Sequence, residues 1–321
     1  MTNPERDPAE MVLDPSGGPA DVEVLTAREV PLGGPRAMTV RRTLPQRHRS
    51  LIGAWCFVDH YGPDRVSDSG GMVVASHPHT GLQTVSWLFT GEVEHTDSAG
   101  HHAMVLPGEV NLMTAGRGIS HSEVSTDDTD VLHGAQLWVA LPDASRDVAP
   151  GFTHHAPDRL TGDGWEARVF LGSLLGDTSP VKTHTPLLGA ELLLDAGTRL
   201  DLDVDESFEH GVLVDTGVVD VCGQEAKAGD LAYVATGRRH LRLEAGSEPA
   251  RVLLLGGTPF GESIVMWWNF VGRSHEEIAS YREEWQRRVT DGTDGRFGIV
   301  DHPLPPIPAP PLPHVRLKER R

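Results

Sequence analysis

Two pairs of side chains in this sequence have the types and the spacing to hold a metal ion. His77 and His79 stand two apart in ASHPHTGLQTVSW, with β-type residues following. In a strand, residues i and i+2 project from one face, so both imidazoles can address one point. His121 and Glu123 repeat that spacing in GRGISHSEVS. On neighbouring strands the two pairs would bring three imidazoles and one carboxylate together. That donor set suits iron, manganese, nickel or zinc, and without a thiolate a closed structural zinc site is disfavoured. Four protein ligands on an octahedral ion would leave two positions open for water, dioxygen or substrate.

Strands must present these pairs, and the chain has the rhythm for them. From Leu51 to about Leu141, short segments rich in Val, Trp, Phe, Leu and Thr are cut by glycine every eight to twelve residues. That spacing is typical of an antiparallel sandwich or barrel. A second region, about 165 to 258, repeats it. Leu88 to Val93 resembles Val214 to Val219, and Pro107 to Val110 resembles Ala228 to Leu231, in the same order, which suggests a duplicated β unit. One helix reads clearly: Ser274 and Glu277 form a capping box, followed by Ile278, Tyr281, Trp285 and Val289 at helical spacing. That stripe is expected to pack on a β surface. Residues 1–20 read as a disordered acidic tail. Residues 301–321, HPLPPIPAPPLPHVRLKERR from His302 on, read as a Pro-rich polyproline II tail, either laid along the body or exposed.

Charge and composition exclude several functions. Among 321 residues, 28 Lys plus Arg against 46 Asp plus Glu give a net charge of −18. Such a surface repels phosphate backbones, which argues against direct nucleic-acid or anionic-membrane binding. The local basic stretch Arg41 to Arg49 is expected to be solvated arginine near a strand end. Cys56 and Cys222 are too few for a disulfide framework or a Cys-rich zinc site, and Cys56 in an apolar run reads as a small buried hydrophobe. No basic leader opens the chain and no apolar run reaches membrane length, so a cytoplasmic protein, most simply a monomer, is expected. GRG at Gly116 to Gly118 does not extend to a dinucleotide motif, and neither a P-loop nor a GxSxG elbow is present.

HPHTGLQTVSWLFTGEVEHTDSAG, PGEVNLMTAGRGISHSE and HGAQLWVALP together resemble the pirin family of bicupins. The lead-in VRRTLPQRHRSLIGAWCFVDHYGP and the later LLLGGTPFGESIVMWWNFVGRSHEEI extend the resemblance over roughly residues 35 to 300. It implies an all-β chain of two tandem jelly-roll cupin barrels with a short C-terminal helix. A metal-binding cupin would occupy 21–150 and a metal-free cupin 165–290. Carried over residue by residue, His77, His79, His121 and Glu123 match the family's iron ligands, with Glu123 also a proton acceptor. Gln83 stands where many cupins carry a ligating glutamate, and reads either as a neutral neighbour able to hydrogen-bond a metal-bound water or as an inward-facing polar residue satisfied by the backbone. His60, His95 and His133 match family histidines that could orient ligands, though each reads more readily as a hydrogen-bonded structural histidine; His101 and His102 are assigned to a hairpin end. The second half offers only the scattered His210 and His240. Two functions follow from the resemblance. One is an Fe(II)-dependent dioxygenase of the quercetinase type, acting on flavonols or related enols and catechols, with Mn, Ni, Zn, Co or Cu as other possible ions. The other is an iron-dependent redox-sensing regulator that engages a protein partner.

Overall fold

The computed structural model describes residues 22–32, 38–293 and 295–320, and the expected tail over 1–20 lies outside them. In chain order come β1 (Val22–Thr26), β2 (Arg28–Leu32), β3 (Met38–Leu44), β4 (Trp55–Arg65), a helical turn α1 (Val66–Ser69), β5 (Val73–His79), β6 (Leu82–Thr90) and β7 (Val93–Asp97). Then follow β8 (His102–Val105), β9 (Val110–Thr114), β10 (Ile119–Ser125), β11 (Val131–Ala140), β12 (Gly151–His155), β13 (Leu160–Gly162) and β14 (Trp165–Leu171). A short hairpin, β15 (Ser173–Leu174) and β16 (Asp177–Thr178), precedes β17 (Leu187–Leu194), β18 (Arg199–Asp203), β19 (Glu209–Thr216), β20 (Val218–Val221) and β21 (Gln224–Lys227). The last elements are β22 (Asp230–Val234), β23 (His240–Ala245), β24 (Ala250–Gly257), β25 (Val265–Trp267), β26 (Phe270–Gly272) and α2 (His275–Asp291). Neither helix is long and apolar enough to cross a membrane.

The strands build two barrels of one design. In the first, the sheet β12-β9-β6-β11-β4-β3-β2 faces the sheet β5-β10-β7-β8; in the second, β1-β22-β19-β24-β17-β14-β13 faces β18-β23-β20-β21. Both take edge strands from outside the spans expected for them: β12 pairs with β9 in the first, and in the second β13 pairs with β14 while β1 crosses to pair with β22. The strand at the amino-terminal end thus belongs to the second barrel rather than to the first. The seven-stranded sheets pack against each other around Trp55, Trp87, Leu137, Phe170, Leu213 and Leu253. Trp87 stacks on Phe170 at 4.5 Å. Full burial contributes about 1.5–3 kcal/mol per large apolar side chain, so the seam joins the halves firmly.

The duplication read from sequence appears here as a two-fold relation. Gly108 and Gly229 sit at matching turns with φ of 73° and 90°. A Cβ on Gly108 would stand 3.3 Å from Arg168 of the second barrel, and one on Gly229 would stand 3.5 Å from Arg41 of the first. Neither Arg41 nor Arg42 is the solvated cation expected of this stretch. Arg41 enters the seam, and Arg42 is buried with its guanidinium held by Asp59 at 2.7 and 2.8 Å.

After the second barrel the chain returns to the first. Ser274 caps α2 by accepting from Glu277 N–H at 3.2 Å, while the Glu277 carboxylate takes the N–H of Arg273 at 2.7 Å instead of closing the box on Ser274. Ile278 and Trp285 bury against the β25–β26 hairpin as the stripe predicts. The Pro-rich segment lies along the body. Ile307 N–H donates to Ser76 C=O at 2.9 Å, Trp285 Nε1 donates to Ile307 C=O at 2.8 Å, and Arg320 bridges to Ile264.

Candidate metal centre

The period of a strand brings the first pair together. β5 turns His77 and His79 into the first barrel, and β10 lies antiparallel beside it with His121 opposite His77. A bulge between His121 and Glu123 shifts the register, so Glu123 pairs with Val74 on one side and with His95 of β7 on the other. The ring centroids of His77 and His121 are 4.3 Å apart, those of His77 and His79 5.1 Å, and those of His79 and His121 5.0 Å. One ligand atom from each of these three histidines lies within 4.8 Å of the others. A second set, sharing His121, joins His95 and Glu123 by the same measure. The carboxylate therefore lies beside His121 and His95, at the edge of the three-imidazole cluster.

The hydrogen bonds around this cluster fix its tautomers. His77 Nδ1 is 2.9 Å from Ala75 C=O and His79 Nδ1 is 3.2 Å from Asn269 C=O, so both must carry the proton there and donate. Asn269 occupies the turn of the β25–β26 hairpin beside Trp268, whose φ of 52° is left-handed. A bulky residue rarely takes that conformation, and here it accompanies the aim of the Asn269 carbonyl at a candidate ligand. His95 Nε2 lies 3.3 Å from Asp97 Oδ2 and therefore donates to it. Its Nδ1 is then an acceptor for His121 Nδ1–H, 3.3 Å away.

All three Nε2 atoms consequently present lone pairs inward, and all three are buried with no hydrogen-bond partner. Three such acceptors at one point are an expensive arrangement in a protein interior. A divalent cation satisfies them together, so the residues fit a metal. Burial keeps the rings neutral, the form that ligates: His77 is pushed down to about 3, and His79 and His121 fall well below the ordinary histidine range through burial and then through neighbouring imidazoles.

Gln83, His60 and His133, the three residues that could have adjoined the metal, stand away from the imidazole cluster. Gln83 shares a face of β6 with Val85 and Trp87 of the seam and donates to Thr114 Oγ1 at 2.9 Å, so it does not face the imidazoles. His60 and His133 also occupy the seam, because they lie on the outer face of their sheet. Each places Nε2 2.6 Å from Asp215 Oδ1, across the boundary between barrels. Arg251 approaches the other oxygen of Asp215 at 3.2 Å, and Arg41 contacts His60 Nδ1 at 3.2 Å. With both Nε2 atoms and both Asp215 oxygens already paired and two guanidinium groups adjoining, this knot is a fastening between barrels and disfavours a cation. His101, assigned to a hairpin end, also contacts Asp97 at 3.0 Å. Asp97, Asn269 and Asp215 went unnoticed in the sequence; only Asp97, two residues after His95, carried any local signal.

A family profile described as Pirin matches residues 37–139, and a second, the Pirin C-terminal cupin domain, matches residues 189–291. The Pseudomonas aeruginosa protein named "Putative quercetin 2,3-dioxygenase PA1205" is 46% identical over 292 residues, 90% of this chain and 90% of that one. The chain belongs to the pirin family. A pirin-like protein of Caulobacter vibrioides is 35% identical and covers 85% of this chain and 97% of its own. The crystal structure of a quercetin 2,3-dioxygenase from Acinetobacter baumannii superposes with a TM-score of 0.85 at 39% identity, over 92% of this pirin and 97% of that chain. The two barrels are thus the tandem cupins of a pirin, with the imidazole cluster in the amino-terminal one.

Proposed function

We propose that this pirin is a mononuclear metal-dependent dioxygenase of the quercetinase type, with Fe(II) held by His77, His79, His121 and Glu123. The observation that carries the reading is the convergence of three buried Nε2 lone pairs with no partner. Relatives named for quercetin dioxygenation support the substrate class. When bound, the metal supplies a Lewis-acid and electron-transfer centre for dioxygen and an enol or catechol. The protein's part is to fix three neutral imidazoles in one tautomer, to exclude bulk water by burial, and to keep a carboxylate at the edge. Glu123, beside His121, accepts the substrate hydroxyl proton at a carboxylate oxygen.

The test is anaerobic loading with Fe(II), metal analysis, and then oxygen uptake with quercetin. His121→Ala should abolish both metal retention and turnover. His240→Ala should leave both unchanged, since His240 is exposed on the second barrel and paired with Asp203. Full iron occupancy without turnover on flavonols or catechols refutes the enzyme and favours the regulatory reading.

A further inference from the structure

The wall of the first barrel opposite the metal strands carries its own unpaired polar groups. Along β11, Ala135, Leu137 and Val139 face the seam, so Gln136 and Trp138 face the barrel interior. Both are buried, at 1% and 0% exposure. Each ends in a buried N–H without a partner: Gln136 Nε2 and Trp138 Nε1.

Neither group can turn away to find one. Ser86 Oγ donates to Gln136 Oε1 at 2.9 Å, which leaves the amide nitrogen as the free end. The indole is clamped by Phe57, stacked at 4.0 Å and 14°, and the Arg42 guanidinium covers Phe57 at 4.3 Å. Arg42 is in turn tied to Asp59. On its other side Trp138 stands edge-on to His79, with ring centroids 5.1 Å apart. The indole is therefore an immediate neighbour of the imidazole cluster.

A buried donor left unsatisfied costs about 1–3 kcal/mol. Two such donors, held rigid on one face of β11 with Trp138 next to His79, are complementary to acceptor oxygens of a guest. We propose that Gln136 Nε2–H and Trp138 Nε1–H are the substrate-recognition donors of the first barrel. Their ligand is a planar polyoxygenated aromatic that presents one oxygen to each donor while other oxygens face the imidazoles. The i, i+2 relation puts the two backbone positions roughly 6–7 Å apart, comparable with the separation of oxygens across a fused ring system. This rests on the reading of the cluster as a substrate-binding metal centre, and adds to it the residues that select the substrate.

The test measures binding, not turnover. The metal-loaded protein is titrated anaerobically with quercetin and with 3-hydroxyflavone, which keeps the vicinal oxygens and lacks the other ring hydroxyls. The wild type should prefer quercetin. Gln136→Met and Trp138→Phe should each weaken quercetin binding about fivefold, the loss of one hydrogen bond of about 1 kcal/mol. Binding of 3-hydroxyflavone should barely change, and metal content should match the wild type. Gln136→Glu, which replaces the N–H by an anionic oxygen, should lose more, and it stands in if the Met variant does not fold. Equal affinity of the wild type for both flavonols, or variants that keep its preference, overturns the proposal and leaves ordered water as the partner of these donors. Tight, variant-sensitive binding without oxygen uptake on admission of air refutes the dioxygenase reading alone.

Discussion

The chain Asp97–His95–His121 gives the sharpest test of how this pirin would hold a metal. His95→Phe keeps the ring volume and removes both nitrogens. His121 Nδ1–H then loses the acceptor now 3.3 Å away, and nothing fixes its tautomer with the Nε2 lone pair turned inward. A partner bonded to a ligating histidine is worth about 10–100-fold in metal affinity. At about 1.4 kcal/mol per tenfold, that is roughly 1.4–2.8 kcal/mol, close to the cost of one buried N–H left unpaired. His95→Asn should recover much of the loss, because its Oδ1 falls where His95 Nδ1 was and accepts the same proton. Asp97→Asn should resemble the Phe variant, since a side-chain amide can donate to His95 Nε2 and invert the tautomers of both rings. Competition of Fe(II) or Co(II) with a chromophoric chelator reads these affinities without reference to turnover. Wild-type affinity in His95→Phe, or an Asn variant no better than Phe, would refute the hydrogen-bond reasoning. A loss beyond about a thousandfold would exceed any orienting role and make His95 a ligand itself.

Two further expectations concern how the halves are joined. Asp215→Asn removes the charged acceptor that Arg251 and two imidazoles share, and hydrogen bonds to a charged group are worth about 1.5–3 kcal/mol, so denaturant unfolding should shift to lower concentration. The seam should also weaken as pH falls below about 6.5: burial, only partly offset by Asp215, keeps His60 neutral in the fold while the unfolded chain's histidine takes up protons. Asp215 adds a second loss further down: although burial alone would raise its pKa, hydrogen bonds from His133 and His60 hold it below the carboxylate range, so its stabilisation persists until acid protonates it in the fold. Equal stability at pH 8 and pH 5 would contradict this account. Truncation after Val300 removes the bond from Ile307 to Ser76 next to His77 and uncovers the β25–β26 surface, so metal retention and thermal stability should fall together. Unchanged metal retention would show that the arm does not steady β5.

What the sequence revealed, and what it hid, follows from periodicity. His77 with His79 and His121 with Glu123 were legible because a strand repeats every second residue and the pairs fit that repeat. The sequence leaves Gln83 and His60 between a role at the metal and a structural one, because alternation says nothing when both faces of a strand are buried. Leu82–Leu88 in β6 and Trp55–Tyr61 in β4 are buried without a break, one face toward the barrel interior and the other toward the seam. Which face met the metal could not be read from either segment. Asp215 and Asn269 were invisible for another reason: they meet His60 and His79 across 155 and 190 residues, beyond any local pattern. The β1 exchange was hidden in the same way, since Val22–Thr26 finds its partner in β22.

The comparison of the two barrels shows why only one of them has the chemistry. β18 and β23 occupy in the second barrel the places of β5 and β10 in the first. Where the first pairs His77 with His121, the second pairs Leu202 with Leu241 and Leu200 with Leu243, all four leucines turned into its core. His240 lies one residue before Leu241 and so points outward, while His210 is a single buried imidazole with neither ring nitrogen hydrogen-bonded. The consequence is energetic as well as chemical. Four buried leucines stabilise the second barrel by about 1.5–3 kcal/mol each, whereas the first carries unpaired lone pairs at the matching place. The first barrel spends stability on a binding site; the second supports it across the seam, and the hairpin that follows the second barrel packs on β5 and delivers the Asn269 carbonyl to His79.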